Sequence, residues 1–267
     1  MAMKFSTSKP FAKKSFGQNF LVDRNVIDKI IAALNLQTGE TIIEIGAGRG
    51  ALTEKIVESG ALVIAVELER EMISILQKIF EKVPNFHLIE QDALQINFNR
   101  LTNVEANLPK RKLVANLPYN ISTAILQKLI EQREVFSEMI LMFQREVVER
   151  ITAKAGSSSR GFLSVLSQNY LETEKLFDVS PNAFRPIPKV WSSVVRLKPK
   201  ENIVKNESMF REIVSISFAQ KRKTILNNLK NKFANAEDIL FRAEIESKRR
   251  AETLSLEEWR RITEIIG

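Results

Sequence analysis

The chain has no cysteine and only one histidine, His87, in 267 residues. The first absence removes disulfides and thiolate metal sites, and the second leaves almost nothing from which to build an imidazole site for zinc or iron, so no metal is expected. Acid–base chemistry, if any, falls to carboxylates, lysines or tyrosines. Long apolar runs are also missing. The longest, Ala61–Val66, is far too short to span a bilayer, and the N-terminus lacks the apolar core of a secretory signal. A cytoplasmic protein without a membrane partner is the expectation.

Acid is scarce at one end. Residues 1–20 hold four lysines and no carboxylate, and residues 199–267 hold 14 basic and 11 acidic side chains, while the stretch between is nearly balanced. The net charge of +8 therefore sits at the two ends. Basic residues are often no more than a solvated surface, but a polyanion partner is the sharper reading. Nucleic acid suits it better than a membrane, because no basic amphipathic helix with a wide apolar face stands out.

From residue 23 to 143 strand-like and helix-like segments alternate. Asp23 is placed to cap a helix whose Val26, Ile27, Ile30, Ile31 and Leu34 share one face. Strands are expected at 41–45, 61–67, 86–91, 112–115 and 138–143, and helices at 51–59, 70–82 and 122–132. Short, continuously apolar strands separated by amphipathic helices predict an α/β fold: a parallel, Rossmann-like sheet with helices on both faces. Such sheets bind ligands at the carboxyl ends of their strands. After Arg145, "REVVERITAK" and "FLSVLSQNYL" read as helices around a polar loop, with strands near 174–179 and 192–197 flanking "NAFRPIPKV". Residues 198–208 have linker composition, and 209–266 show only helical periodicity. The expected organisation is one domain over 1–198 and a small all-α domain over 199–267.

The strand ends carry the chemistry. "EIGAGRG" places Gly46, Gly48 and Gly50 after the first strand, allowing a tight turn and close approach of a ligand to the backbone. Alone this is a weak signal, since Gly46, Gly48 and Ala51 also satisfy the loose dinucleotide fingerprint. Glu67 ends the next strand, where a carboxylate can accept from a ribose diol, and Asp92 follows the third, where it can accept from an adenine amino group. Together they suit an adenosine-containing cofactor. A nicotinamide dehydrogenase is disfavoured by the want of a histidine proton donor, because His87 falls inside a strand.

"NLPY" (116–119) ends the fourth strand and resembles the motif of methyltransferases that act on exocyclic amino groups. An adenine N6 is a poor nucleophile because its lone pair is delocalised into the ring. The side-chain oxygen of Asn116 and the carbonyl of Leu117 could each accept one of its hydrogens and draw it towards a tetrahedral shape. Pro118 biases Leu117 away from helix, and Tyr119 offers a stacking face.

Over essentially its whole length the chain resembles the KsgA-type small-subunit (16S) ribosomal RNA adenine N6,N6-dimethyltransferases. The matching pieces are "FGQNFL" (16–21), "EIGAGRGALT" (44–53), Glu67, "QDAL" (91–94), "NLPYNIST" (116–123), "QREVVERI" (144–151), "GFLSVLSQ" (161–168), "FRPIPKVWSSVVRL" (184–197) and "FAQKRKTILNNL" (218–229). The resemblance implies S-adenosylmethionine as donor and two neighbouring adenosines near the 3′ end of 16S RNA, each dimethylated at N6, as substrate. It implies that residues 1–22 are a basic arm with a cofactor-closing motif, that 1–198 bind the donor, and that 199–267 bind RNA. Asn19 and Leu21 would close over the cofactor, Gly46 and Gly48 would lie against it, Glu67 would hold its ribose and Asp92 its adenine. Asn116 would sit between cofactor and base, and Phe184 would oppose Tyr119. The implied partner is small-subunit RNA or an immature 30S particle, met by a monomer. Ala47 stands where many relatives have proline, and Leu226 where arginine is common, so one expected RNA contact is in doubt. Two rivals share the fold: methyltransferases of the antibiotic-resistance type that modify large-subunit RNA, against which Leu117 and "GFLSVLSQ" weigh, and an assembly factor without activity.

Overall fold

The computed structural model describes residues 19–102, 111–201 and 204–267. The lysines of the expected N-terminal arm and the "FGQ" of its motif lie outside them. The chain opens with β1 (Phe20–Leu21) and α1 (Arg24–Leu34). Asp23 caps α1 as its position predicts, its carboxylate accepting from the N–H groups of Asn25 and Val26, and the helix buries Ile27, Ile30 and Leu34. Then β2 (Thr41–Ile45), α2 (Ala51–Glu58), β3 (Leu62–Glu67), α3 (Arg70–Phe80) and β4 (Phe86–Glu90) alternate, followed by β5 (Arg111–Asn116), α4 (Ser122–Glu131) and β6 (Phe136–Gln144). Every residue of β2 is buried, which is why its sequence does not alternate: Ile42, Ile43 and Ile45 face both sides, and even Thr41 and Glu44 are enclosed.

After β6 come α5 (Arg145–Ile151), α6 (Phe162–Tyr170), β7 (Leu171–Val179), β8 (Phe184–Arg185) and β9 (Ser192–Pro199). Four more helices follow: α7 (Glu207–Phe218), α8 (Ile225–Leu229), α9 (Ala236–Arg242) and α10 (Leu256–Ile266). Seven strands form one sheet in the order β4-β3-β2-β5-β6-β9-β7, while β1 and β8 pair antiparallel by themselves. The pairs β2–β3, β3–β4, β2–β5 and β5–β6 are parallel. The chain first steps outward from β2 to β4, then returns to the other flank of β2 with β5. That reversal opens a crevice between the carboxyl ends of β2 and β5, where an open α/β sheet takes its ligand.

By its contacts the chain falls into two compact units. One runs through Gln144 and resumes over Phe177–Val194; the other takes Arg145–Leu176 and Val195–Gly267. Helix α5 ends three residues before the reach of its sequence pattern, and the reason is local. Arg160 Nη1 donates to the carbonyl of Ala153 at 2.8 Å, and the Gln168 amide donates to the carbonyls of Ile151 and Ala153, taking acceptors that a further turn of helix would use. In the same unit Arg260 on α10 donates to Asn169 on α6 at 3.0 Å, and Trp259 is fully buried beside Phe218. Helix α6 therefore packs with α7 and α10 although it precedes residue 198.

Candidate active site at the carboxyl ends of the strands

The glycine turn after β2 is held from both sides. The N–H of Gly46 donates to the carbonyl of Val66 at 2.8 Å, and that of Gly48 donates to Glu67 Oε2 at 2.9 Å. Both glycines have positive φ, 70° and 56°. A Cβ on Gly46 would meet no atom within 4 Å and would project into open space, whereas one on Gly48 would touch the Phe20 ring at 3.4 Å. The other oxygen of Glu67 accepts from the N–H groups of Leu68 and Glu69 at 2.8 and 3.0 Å, so three backbone donors fix a carboxylate that is 8% exposed. A carboxylate has about four acceptor sites, so about one remains to accept from a further donor.

One strand over, Glu44 is buried with one hydrogen-bond donor among the described residues, the Thr53 hydroxyl at 2.6 Å. Burial pushes its carboxyl up to about 7; the Thr53 bond opposes this, and the nearby charge of Glu67 adds to it.

At the end of β5 the Asn116 amide nitrogen donates to the carbonyl of Asn19 at 3.2 Å. That bond decides which end of the amide is which and turns Oδ1 away as an acceptor. Leu117 N–H continues the ladder to Met142, and the carbonyl of Pro118 accepts from Ile121. Tyr119 is fixed at its tip by a 2.7 Å hydrogen bond to Ser192. Burial raises its phenol above the ordinary value, with the Ser192 bond a smaller opposing influence, so Tyr119 stays neutral and presents a ring, not a base.

These residues share space. A cavity of about 70 Å³ is lined by Asn19, Phe20, Gly46, Gly48, Glu67 and the run Asn116–Tyr119. A second, of about 640 Å³, is lined by Leu21, Glu44, the turn Gly46–Arg49 and the facing sides of α1 and α2, and Phe20, Gly46, Gly48 and Asn116 border both. The Arg49 guanidinium lies 4.3 Å from the centre of the Phe20 ring. The smaller space is well below the roughly 300–1,000 Å³ of a ligand pocket.

The model of the family described as "Ribosomal RNA adenine dimethylase" matches residues 11–267. The chain belongs to this family. A protein of Hahella chejuensis named "Ribosomal RNA small subunit methyltransferase A" is 42% identical over 258 residues, covering 96% of this chain and 93% of its own length. A namesake from Clostridium botulinum is 41% identical over 260 residues, covering 95% and 93%. Among solved structures, a dimethyladenosine transferase from Plasmodium falciparum superposes with a TM-score of 0.75 at 28% identity, covering 91% of this chain and 95% of that one. The 23S rRNA methyltransferase ErmE superposes with 0.69 at 23% identity over 92% and 99%, a likeness of fold.

This dimethylase-family chain is thus a methyltransferase with a Rossmann-like sheet, and its donor is S-adenosylmethionine. The residues present fit that group: a turn without a side chain at Gly46 faces a carboxylate already oriented by backbone donors. Of the residues singled out in the sequence, Asn19, Gly46, Gly48, Glu67 and Asn116–Tyr119 meet around the smaller cavity, and Leu21 borders the larger. Two stand apart. Asp92, two residues beyond the end of β4, uses Oδ1 to accept from Leu94 N–H at 2.8 Å. Phe184 is fully buried, paired through β8 with Leu21 of β1, and lines neither cavity. Sequence reasoning passed over Glu44, Phe20 and Ser192. A lone carboxylate inside "TIIEI" was the available signal for Glu44; Phe20 and Ser192 lie inside "FGQNFL" and "FRPIPKVWSSVVRL", where their residue types alone assign no role. Among the described residues no cluster could hold a metal ion, and no helix is long and apolar enough to cross a membrane.

Proposed function

We propose that the chain dimethylates the N6 atoms of two adjacent adenosines in the 3′-terminal hairpin of small-subunit ribosomal RNA during ribosome biogenesis. It acts as a cytoplasmic monomer on the RNA of an immature 30S particle. In this reading residues 1–198 bind the donor and 199–267 contact RNA. The observation that carries it is the common cavity: Asn116–Tyr119 open onto the same space as Gly46, Gly48 and Glu67. The names of the 42% and 41% identical relatives support the choice of the small subunit.

Glu67 holds the donor's ribose, Asp92 its adenine amino group, and Asn19 and Leu21 close over it. When bound, S-adenosylmethionine supplies an electrophilic methyl carbon on a sulfonium. Asn116 Oδ1 and the carbonyl of Leu117 accept the two hydrogens of N6, which localises the lone pair and aims it into the cavity. Tyr119 stacks against the target adenine, its hydroxyl tethered to Ser192 so that the ring keeps its place. Phe184, buried in β8 beside Leu21, is in this reading the second aromatic face for the base, opposite Tyr119. No base is needed before transfer, because the alkylated nitrogen sheds its proton readily. That agrees with a neutral Tyr119 and a single histidine.

Labelled methyl transfer to immature 30S and to large-subunit particles, followed by nucleoside analysis, tests the reading. N6,N6-dimethyladenosine in the small-subunit RNA is expected, and label confined to large-subunit RNA would overturn it. Asn116→Ala should lower kcat by roughly 10²–10³-fold, the scale for removing one preorganised polar group, while RNA binding is retained.

A further inference from the structure

Three of the six exposed large apolar side chains among the described residues fall within five positions of one another: Ile187, 56% exposed, Val190, 42%, and Trp191, 45%. They belong to the loop joining β8 to β9, and the structure fixes both ends of that loop to walls of the small cavity. At one end Arg185 pairs with Phe20 in the β1–β8 ribbon; at the other Ser192 bonds the Tyr119 hydroxyl at 2.7 Å. Trp191 is therefore adjacent in the chain to the residue that holds the target-base platform, yet it faces solvent instead of the cavity. Lys189 is exposed in the same loop, and Arg185, which ends β8, is exposed with Nη1 donating to the carbonyls of Asn182 and Phe184. Pro186 and Pro188 restrict its backbone, so little ordering entropy remains to be lost on binding.

Indole, aliphatic and cationic groups crowded on a stiff loop beside a base pocket are what a single-stranded nucleotide needs: a face for the base and charge for its phosphate. An apolar patch on a loop this short gains nothing from solvent exposure. We propose that Trp191 is a stacking platform for a nucleotide flanking the target adenosine, with Lys189 and Arg185 taking the adjoining phosphates. This rests on the reading of the chain as an RNA methyltransferase, and assigns a substrate-positioning residue outside the cavity where transfer occurs.

The chain contains two tryptophans, and Trp259 is fully buried, so a change in emission on adding RNA reports Trp191. Titration with a protein-free hairpin oligoribonucleotide bearing two adjacent adenosines should quench that emission, and Trp191→Phe should abolish the quench while keeping methyl transfer. Trp191→Ala should raise KM for RNA by about 5- to 150-fold, the range spanned by base–aromatic stacking, with kcat and donor affinity little changed. An unquenched titration, or an alanine variant with unaltered KM that the phenylalanine variant matches, would overturn the proposal. Quenching by the 30S particle but not by free RNA would also overturn it, by assigning the loop to a ribosomal protein. Failure of the unaltered chain to methylate any RNA would count against the functional reading alone, since the quench is measured without turnover.

Discussion

Two buried carboxylates stand at neighbouring strands of the same sheet, and the chain treats them in opposite ways. Glu67, at the tip of β3, receives three backbone N–H groups from the glycine turn and from the approach to α3. Glu44, one strand over on β2, receives one hydroxyl and is pushed up to about 7. The difference lies in the backbone around them, not in depth, since both are nearly inaccessible. At the tip of a strand the chain turns and leaves peptide N–H groups without ladder partners, and these converge on Glu67. Within β2 the peptide groups are spent on β3 and β5, so Glu44 is left with side-chain help. A carboxylate supplied with fixed donors is a structural anchor that can also accept from a ligand. One starved of them stores unfavourable free energy that an arriving cation would release.

The comparison breaks most readily at Glu67. Glu67→Ala leaves three N–H groups without their acceptor, at about 1–3 kcal/mol for each that stays buried and unsatisfied, so a loss of 3 kcal/mol or more is expected in urea unfolding, along with donor binding by calorimetry. A variant as stable as the parent would show that water replaces the carboxylate and that the anchor is dispensable.

Glu44 should behave in the opposite sense. Its folded pKa of about 7 lies above the ordinary 4.5, so the folded chain holds the proton more tightly. Below pH 4.5 the group is neutral in both states and costs nothing; between 4.5 and 7 the unfolded chain ionises while the folded chain keeps its proton, so stability falls and levels off above 7, about 3 kcal/mol lower. Glu44→Gln should therefore be relatively more stable at pH 8 than at pH 5, and a pH slope unchanged by the substitution would refute the assignment. If the donor's ammonium approaches Glu44 beside Gly46, binding at pH 7 should release a fraction of a proton. The heat of binding would then depend on the buffer's ionisation enthalpy in the parent and not in the Gln variant.

The smallest effect on folding is expected at Gly46. Alanine in the left-handed region costs about 1–2 kcal/mol, and no protein atom obstructs its Cβ. The added methyl instead occupies space in the crevice. Gly46→Ala should lose donor affinity by more than its modest loss of stability suggests, about tenfold or beyond; an intact donor Kd would remove Gly46 from the cradle.

Much of the frame was legible because its signals are local and repeated. The Asp23 cap, the apolar run of β2, the three glycines and the acid at the end of β3 each carry a backbone consequence within a few residues. What stayed hidden depends on partners distant in the chain. Phe20 matters because it rests on Gly48, and Ser192 because it holds Tyr119, 73 residues away. Phe184 is buried through its pairing with Leu21 of β1, and the end of α5 is set by Arg160 and Gln168 reaching back over it.

The sequence by itself determined an alternating sheet with a ligand crevice at its strand tips and a proline turn closing the fourth of them, because hydrophobic period, glycine placement and proline geometry act over short spans. Only the tertiary structure decided how those tips are electrically supplied and how the crevice is walled. Hydrogen-bond supply and desolvation are properties of a neighbourhood, assembled when β5 returns to the open flank of β2 and brings Asn116 onto the glycine turn.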